Sequence, residues 1–298
     1  MSTITAEKTV VAVVTEAGDD GVPKKDLQPN ASMSLASLCD ELRKWQRKRS
    51  ILLKSRIMQA NRLQAIIAGT IGFSSALPEN ERKAVFKKAQ KLIDDVVDGK
   101  VKDVPFLNII LATNVGIAAF ETEESLVLTE MNRLAEQLPV AAWIKEPQQR
   151  GFGISSLAAM IGECGDLRNY SGPAKLWKRM ASAPFENDDG KTLMGSTWRM
   201  AKEGKLNAEQ WTRFGYSPRR RSIAYLWGEN LMKQNKSIYR ARYDNGRAVF
   251  AVKHPDYPDC RLHKHGMLLA AKLLMKLLWV EWQVLTGNGR REAMVDRW

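Results

Sequence analysis

Two glycines separated by one aromatic residue mark the stretch of this chain best suited to chemistry. Gly151-Phe152-Gly153 is predicted to form a tight bend, because glycine takes positive φ and lets the backbone approach another surface closely. Ser155 or Ser156 can then cap a short amphipathic helix. Such a bend between two helices is a helix-hairpin-helix, which holds phosphates with backbone N–H groups and a helix N-terminus. A plain turn between packed helices is the alternative.

A helix is predicted to begin at Ser217-Pro218, and three consecutive arginines form its first turn. Cations at a helix N-terminus oppose the helix dipole, and a position that costs stability is better explained by an anion held there. We expect that anion to be a phosphate. The predicted nucleic-acid contacts are Arg150, Gly151, Phe152, Gly153, Lys191, Arg199, Arg219, Arg220, Arg221, Arg240 and Lys264.

A loop rich in potential metal ligands lies nearer the C-terminus. Its candidate ligands are His254, Asp256, Asp259, Cys260, His263 and His265. The loop lacks paired Cys-x-x-Cys spacing and two prolines stiffen it, so the sequence predicts no metal and no cofactor. His263 and His265, beside Lys264, are expected at or near a surface that faces a polyanion. ATPase-type phosphate loops, hydrolase elbows and dinucleotide fingerprints are not found.

The residues after the bend follow a longer pattern. Gly-Phe-Gly leads into Ser-Leu-Ala-Ala-Met-Ile-Gly-Glu-Cys-Gly-Asp, and the pattern continues through Tyr170, Lys175-Leu176-Trp177, Ala183-Pro184, the run from Arg219 to Trp227, and Ala-Ala-Lys-Leu-Leu at 270–274. In order and spacing this half of the chain resembles the insertion-sequence transposases of the one-ten/one-sixteen/nine-oh-two type, the bridge-RNA-guided serine recombinases. The resemblance implies a helical DNA-binding domain, with DNA and structured RNA as partners.

Two parts of that family's catalytic apparatus do not match this sequence. The family's nucleophile is a serine in a Ser-Gly pair after the Ala-Pro loop, where this chain has Asp189-Gly190. Ser196 is the nearest substitute, although a helix cap is its more ordinary role. The family's RuvC-like domain has no counterpart before residue 33, so no carboxylates for paired Mg²⁺ ions are expected. The resemblance therefore implies a relative that binds DNA without intact catalytic residues, and enzymatic activity stays open.

The charge of the chain favours a polyanionic partner. It has 46 Lys and Arg against 33 Asp and Glu, a net charge of +13, and an excess of this size concerns partners rather than fold. A membrane is the competing partner and is disfavoured, because charged residues interrupt the most apolar run at 267–285. Three widely spaced cysteines and no secretory leader predict reduced thiols in a cytoplasmic, nucleoid-associated protein.

The elements that position these residues are predicted to be helical, which makes the chain all-α. The helix over 33–68 carries a heptad-like apolar seam of leucines with Trp45 and Ile66, and it is expected to pair chains as a coiled-coil homodimer or higher oligomer. Its basic side is expected either to be a solvated face or to follow a phosphate backbone. The other predicted helices cover 78–97, 106–120, 122–137, 140–145, 155–163, 172–181, 207–213, 217–234, 237–243 and 262–285, with a turn at 244–246.

The predicted domain organisation has four parts. Residues 1–32 are a disordered tail, 33–138 a helical coiled-coil and dimerisation region, 139–286 the transposase-like helix-hairpin-helix domain, and 287–298 a second tail. Three functions remain open: a DNA-binding transposase relative, an active recombinase that works alone or with a separate RuvC-like subunit, and a protein-interaction module whose basic charge is incidental.

Overall fold

The chain is all-α in a computed structural model, as the sequence predicts. The structure describes residues 33–186, 192–193 and 217–289. Within these ranges the helices are α1 (Leu35–Thr70), α2 (Glu79–Val97), α3 (Leu107–Ala135), α4 (Ala141–Ile144), α5 (Ile154–Cys164), α6 (Pro173–Arg179), α7 (Pro218–Met232), α8 (Ile238–Lys253) and α9 (Asp259–Leu285). Short 3-10 turns lie at Pro147–Gln149 and Leu167–Asn169, and two-residue strands β1 (Phe185–Glu186) and β2 (Thr192–Leu193) pair antiparallel.

Serine side chains start three of these helices. Ser34 begins α1 by accepting a hydrogen bond from the Ser37 backbone N–H, and Ser217 does the same for α7 from Arg220. Ser237 caps α8 in the same way. Each cap satisfies a backbone donor that has no partner inside the helix. In the described ranges, no helix combines the length and the apolar character needed to cross a membrane.

Two predicted breaks are absent because the helices continue through them. α3 is one helix where the sequence predicted two, over 106–120 and 122–137. α8 runs through the predicted turn at 244–246, since Asp244 pairs with Arg240 one turn earlier. A Cβ at position 246 would lie 2.3 Å from Leu269 Cδ1. Gly246 therefore lets α8 pack closely on α9 and does not form a turn.

The described helices bury two separate apolar cores. The larger core joins the first turns of α1 and the end of α3 to α5, α7, α8 and α9. It continues across the predicted boundary at residue 138, so the helices on both sides of that boundary share one core. The smaller core lies at the other ends of α1 and α3, where α2 packs on residues such as Leu63, Ile67 and Ile110.

A segment of two helices connects the cores. In residues 47–62 of α1 and 111–126 of α3 no side chain is buried, and the two stretches run antiparallel. Four ion pairs hold them together: Lys48 pairs with Glu123, Arg49 with Glu124, and Arg56 with both Glu121 and Glu124. We call this pair of stretches the two-helix segment.

Candidate nucleic-acid interface

The glycine bend is docked on another helix of the same chain. Gly151 has φ +94°, and a Cβ there would lie 2.9 Å from the Asn230 carbonyl oxygen in α7. Phe152 is buried and meets the Trp227 ring edge-to-face at 5.3 Å. Four residues of the bend are predicted to contact nucleic acid, but only Arg150 and Gly153 are exposed. The Phe152 side chain is part of the core instead.

The bend leads directly into α5. That helix begins at Ile154, with Gly153 as its N-cap and no side-chain cap, which corrects the prediction that Ser155 or Ser156 caps it. The N-terminus of an uncapped helix attracts negative charge, although the Ser156 N–H here already donates to the Gly153 carbonyl. The two serines, Ser155 and Ser156, instead line a groove described below.

A buried carboxylate at the other end of α5 organises the surrounding helices. The Glu163 side chain is 2% exposed, and it accepts hydrogen bonds from Arg219 at 2.8 Å, Arg220 at 3.1 Å and the Gln46 amide at 2.9 Å. Arg179 donates twice to the Glu163 backbone carbonyl. Glu163 therefore ties α5 to α1, α6 and α7.

The carboxylate of Glu163 lies beside the first two arginines of the run at the start of α7. We predicted that Arg219 and Arg220 hold phosphate, whereas in the structure both are paired with Glu163, some 56 residues earlier. Arg220 is mostly covered, but Arg219 stays half exposed and also donates to the Ser50 hydroxyl of α1. Spacing along the sequence gives no indication of this pairing, because the partners meet only in the folded chain.

The Asp of the Glu-x-Gly-Asp motif is also structural. Asp166 accepts hydrogen bonds from the Arg168 backbone and side chain and from the Trp282 indole. Burial raises the pKa of the Asp166 carboxyl, but these hydrogen bonds outweigh burial and lower it. Asp166 thus fixes the turn after α5 to α9.

The cations of α1 divide into two groups. The helix carries eight Lys and Arg residues, and five of them pair with carboxylates. Two of these five pair with neighbours in α1, and three pair with α3 across the two-helix segment. Arg47, Lys54 and Arg62 are exposed and have no carboxylate partner among the described residues. Their spacing of seven and eight residues places them on one face of α1, roughly 11 Å apart along the helix.

This unpaired face of α1 borders a groove of about 1250 Å³. The groove lies between α1, the start of α5 and the outer side of α7, with Leu128 as the contribution of α3. The cations that line it are Arg47, Arg49, Lys54, Arg62 and Arg219, of which Arg49 and Arg219 are already paired with carboxylates, and no Asp or Glu of the described ranges lines it. The arrangement offers an anion a positively charged channel next to an uncapped helix N-terminus.

The remaining predicted contacts do not join this groove. Arg240 donates to Asp244 and to the Met232 carbonyl at the end of α7, so its guanidinium is engaged within the chain. Lys264 is exposed on α9. Lys191 and Arg199, like Asp189 and the candidate nucleophile Ser196, lie outside the described residues.

A second concentration of positive charge surrounds a lysine of α9. Burial lowers the pKa of the Lys272 ammonium, and the nearby charges of Arg221 and Arg242 lower it further. Lys272 also lies over the Trp177 ring at 5.3 Å. Arg221 is therefore close to other cations in the fold, away from the lining of the groove.

The histidine-rich loop holds its imidazoles against aromatic rings. His265 stacks on Phe250 at 3.8 Å, His254 stacks on Tyr257 at 4.5 Å, and His263 Nδ1 is 2.6 Å from the Tyr243 hydroxyl. Among the described residues no three candidate ligands converge on one point.

Two of the three thiols are poorly suited to nucleophilic chemistry. Burial raises the pKa of Cys39 and of Cys164 to about 12, so both stay protonated at neutral pH. Cys260 is exposed. The described part of the chain therefore offers surface charge and shape as its main chemical features.

Comparison with known proteins adds no family assignment: no protein-family model, no curated protein and no solved structure matches this chain.

Proposed function

We propose that this chain is a nucleic-acid-binding protein related to insertion-sequence transposases, and that DNA, alone or with structured RNA, binds in the groove between α1, α5 and α7. The relationship is supported by the order and spacing of the motifs between residues 151 and 279. The binding site is supported by the geometry of the groove. The proposal concerns binding and assigns no strand-transfer step.

One observation carries this proposal: α1 uses five cations in ion pairs and directs the other three, Arg47, Lys54 and Arg62, to a groove that no described carboxylate lines. If the basic face of α1 were only a solvent-exposed surface, carboxylates would be expected next to these three cations. On the side of α1 that meets α3, such carboxylates are present. Three unpaired cations in one channel, in a chain of net charge +13, favour a bound polyanion.

Salt dependence of binding tests the proposal. A fluorescently labelled forked DNA, which offers both duplex and single strands, is titrated with the protein at several salt concentrations. Each phosphate contact contributes a log–log slope of about −0.7 on single strands and −0.9 on duplex, so three or more contacts predict about −2 or steeper. Binding that is absent, or that does not change with salt, contradicts the proposal.

We also propose that the chain self-associates, through a different surface from the one predicted. Leu38 and Leu42 of the predicted α1 seam are buried in this chain's own core, and Leu35, Trp45 and Leu52 pack against it. Exposed apolar residues instead follow one face of α3: Leu111, Val115 and Leu126, with Val115 70% exposed.

The part of the α3 face that carries Leu111 and Val115 fits a second copy because it is uncharged. From Val104 to Phe120 the sequence has no Asp, Glu, Lys or Arg. Two copies of a chain with net charge +13 repel one another, so contact is favoured where both copies are neutral and apolar. Antiparallel packing of α3 on α3 would then form a four-helix bundle with the two copies of α1.

Val115→Lys is expected to abolish this association, because the lysine places a charge in the centre of the contact. Sedimentation equilibrium over a range of protein concentrations measures it. Val252→Lys is the matched control, since Val252 is 85% exposed on α8 and the substitution adds the same charge. Wild-type protein that is monomeric throughout, or two variants that behave alike, would rule out α3 as the interface.

A further inference from the structure

The groove has an apolar floor that phosphate contacts leave uncovered. Ile51, Ile57 and Met58 of α1 and Leu226 of α7 line it, and they are 66%, 53%, 43% and 55% exposed. Large aliphatic side chains gathered at this exposure mark a surface that gains free energy when it is covered. The occupant therefore has to supply apolar surface as well as negative charge.

Duplex DNA supplies the negative charge but little apolar surface. Its outer surface consists of phosphates and sugars, and the faces of its bases are stacked on one another inside the helix. An unpaired strand presents phosphates on one side and the flat, apolar faces of its bases on the other, and such bases can pack on apolar or aromatic side chains. The two sides of an unpaired strand thus match the cations and the aliphatic floor of this groove.

Two exposed carboxamides lie among the apolar residues. Asn61 of α1 and Asn230 of α7 line the groove. A carboxamide both donates and accepts hydrogen bonds, as the edge of an unpaired base does. Neutral groups of this kind add contacts to a base without adding charge, which leaves the phosphates to Arg47, Lys54 and Arg62.

From these features we infer that the groove binds unpaired nucleotides in preference to duplex, with phosphates on Arg47, Lys54 and Arg62 and base faces on Ile57, Met58 and Leu226. This inference rests on the proposed function, which requires nucleic acid in the groove but does not require it to be unpaired. An acidic amphipathic helix of a partner protein shares the charge and the apolar face, and it is therefore included in the test.

Two labelled probes test the preference: a single-stranded oligothymidylate of about twelve nucleotides, within the usual size range of single-strand sites, and a mixed-sequence duplex of the same length. The double variant Ile57→Ser and Leu226→Ser removes apolar floor at exposed positions, where the fold does not depend on it. Val252→Ser is the control, because Val252 is equally apolar, more exposed and outside the groove.

Wild-type protein is expected to bind the single strand at least about tenfold more tightly than the duplex, and the double variant to lose roughly tenfold in single-strand affinity. Its duplex affinity and the salt slope should stay unchanged, as should all binding by Val252→Ser. Equal affinity for the two probes, or equal losses on both, overturns the inference while leaving the proposed function in place.

Two further results separate the remaining cases. Failure of both probes to bind at low salt overturns the proposed function together with the inference. A designed acidic amphipathic peptide that binds wild-type protein but not the double variant, while the double variant keeps its full single-strand affinity, would assign the floor to a protein partner and overturn the inference alone.

Discussion

Glu163→Gln is expected to destabilise the fold by about 2–4 kcal/mol, because it leaves Arg219 and Arg220 without their buried carboxylate. Glutamine keeps the shape of the side chain and its bond to Gln46, so the loss reports the missing charge rather than a cavity. Part of the Arg219 guanidinium can turn to solvent, which keeps the loss below the value for a fully buried pair. Urea unfolding, with the free energy extrapolated to water, measures the effect.

The matched control is Glu229→Gln, which breaks the solvent-exposed pair with Lys233. Exposed ion pairs contribute little, so the expected change is below about 0.5 kcal/mol. If the two variants lost the same free energy, Glu163 would not have the central role in holding α1, α5 and α7 together that the geometry gives it.

Gly228→Ala is expected to destabilise the fold by about 3 kcal/mol, the upper end of the range for overpacking. A Cβ on Gly228 would lie 2.4 Å from the Met267 carbonyl oxygen, and that oxygen belongs to the backbone of α9. A flexible side chain could turn aside, whereas here α7 and α9 have to separate along the whole contact. Thermal or urea unfolding gives the change in stability.

Gly69→Ala, also at a glycine within a helix, is expected to stabilise the fold. Gly69 lies in the last turn of α1, and a Cβ there would meet nothing within 4 Å. Alanine restricts the unfolded chain and favours the helix, so the variant should gain about 0.5 kcal/mol. Loss of stability in both variants would mean that alanine is costly at a helical glycine of this fold even without a steric clash, so the loss at Gly228 could not be assigned to the α7–α9 contact.

The sequence predicted the helices of this fold well wherever a local signal decides them. Apolar periodicity located α1 and α9, and Ser217 caps α7 at the position where the sequence started that helix. The turn predicted at 244–246 is wrong: α8 continues through Asp-Asn-Gly, with Asp244 paired to Arg240 one turn earlier and Gly246 facing Leu269 of α9.

The candidate site could be predicted from the sequence only in part. The arginine run was predicted to contact phosphate, and its position in the chain could not show that Arg219 and Arg220 pair with Glu163 of the same molecule. The basic face of α1 was visible as a cluster, yet only the fold separates the cations that α3 neutralises from Arg47, Lys54 and Arg62. The glycine bend was located correctly, while its contact with Asn230 depends on how α7 returns to it.

The central claim, that nucleic acid lies in the groove, is tested most directly by two triple variants of equal charge. One replaces Arg47, Lys54 and Arg62 with alanine; the other replaces Lys87, Lys88 and Lys91 of α2, which are also exposed and also lack a described carboxylate partner. Both remove three positive charges, so the two variants have the same net charge and lose it at different places. Binding of forked DNA across salt concentrations is measured for each.

We expect the groove variant to reduce the steepness of the log–log salt slope by about 2–3, since three phosphate contacts are lost, and the α2 variant to leave the slope near that of wild type. Equal changes in the two variants would mean that net charge alone drives binding. An unchanged slope in the groove variant would mean that DNA binds elsewhere on the protein.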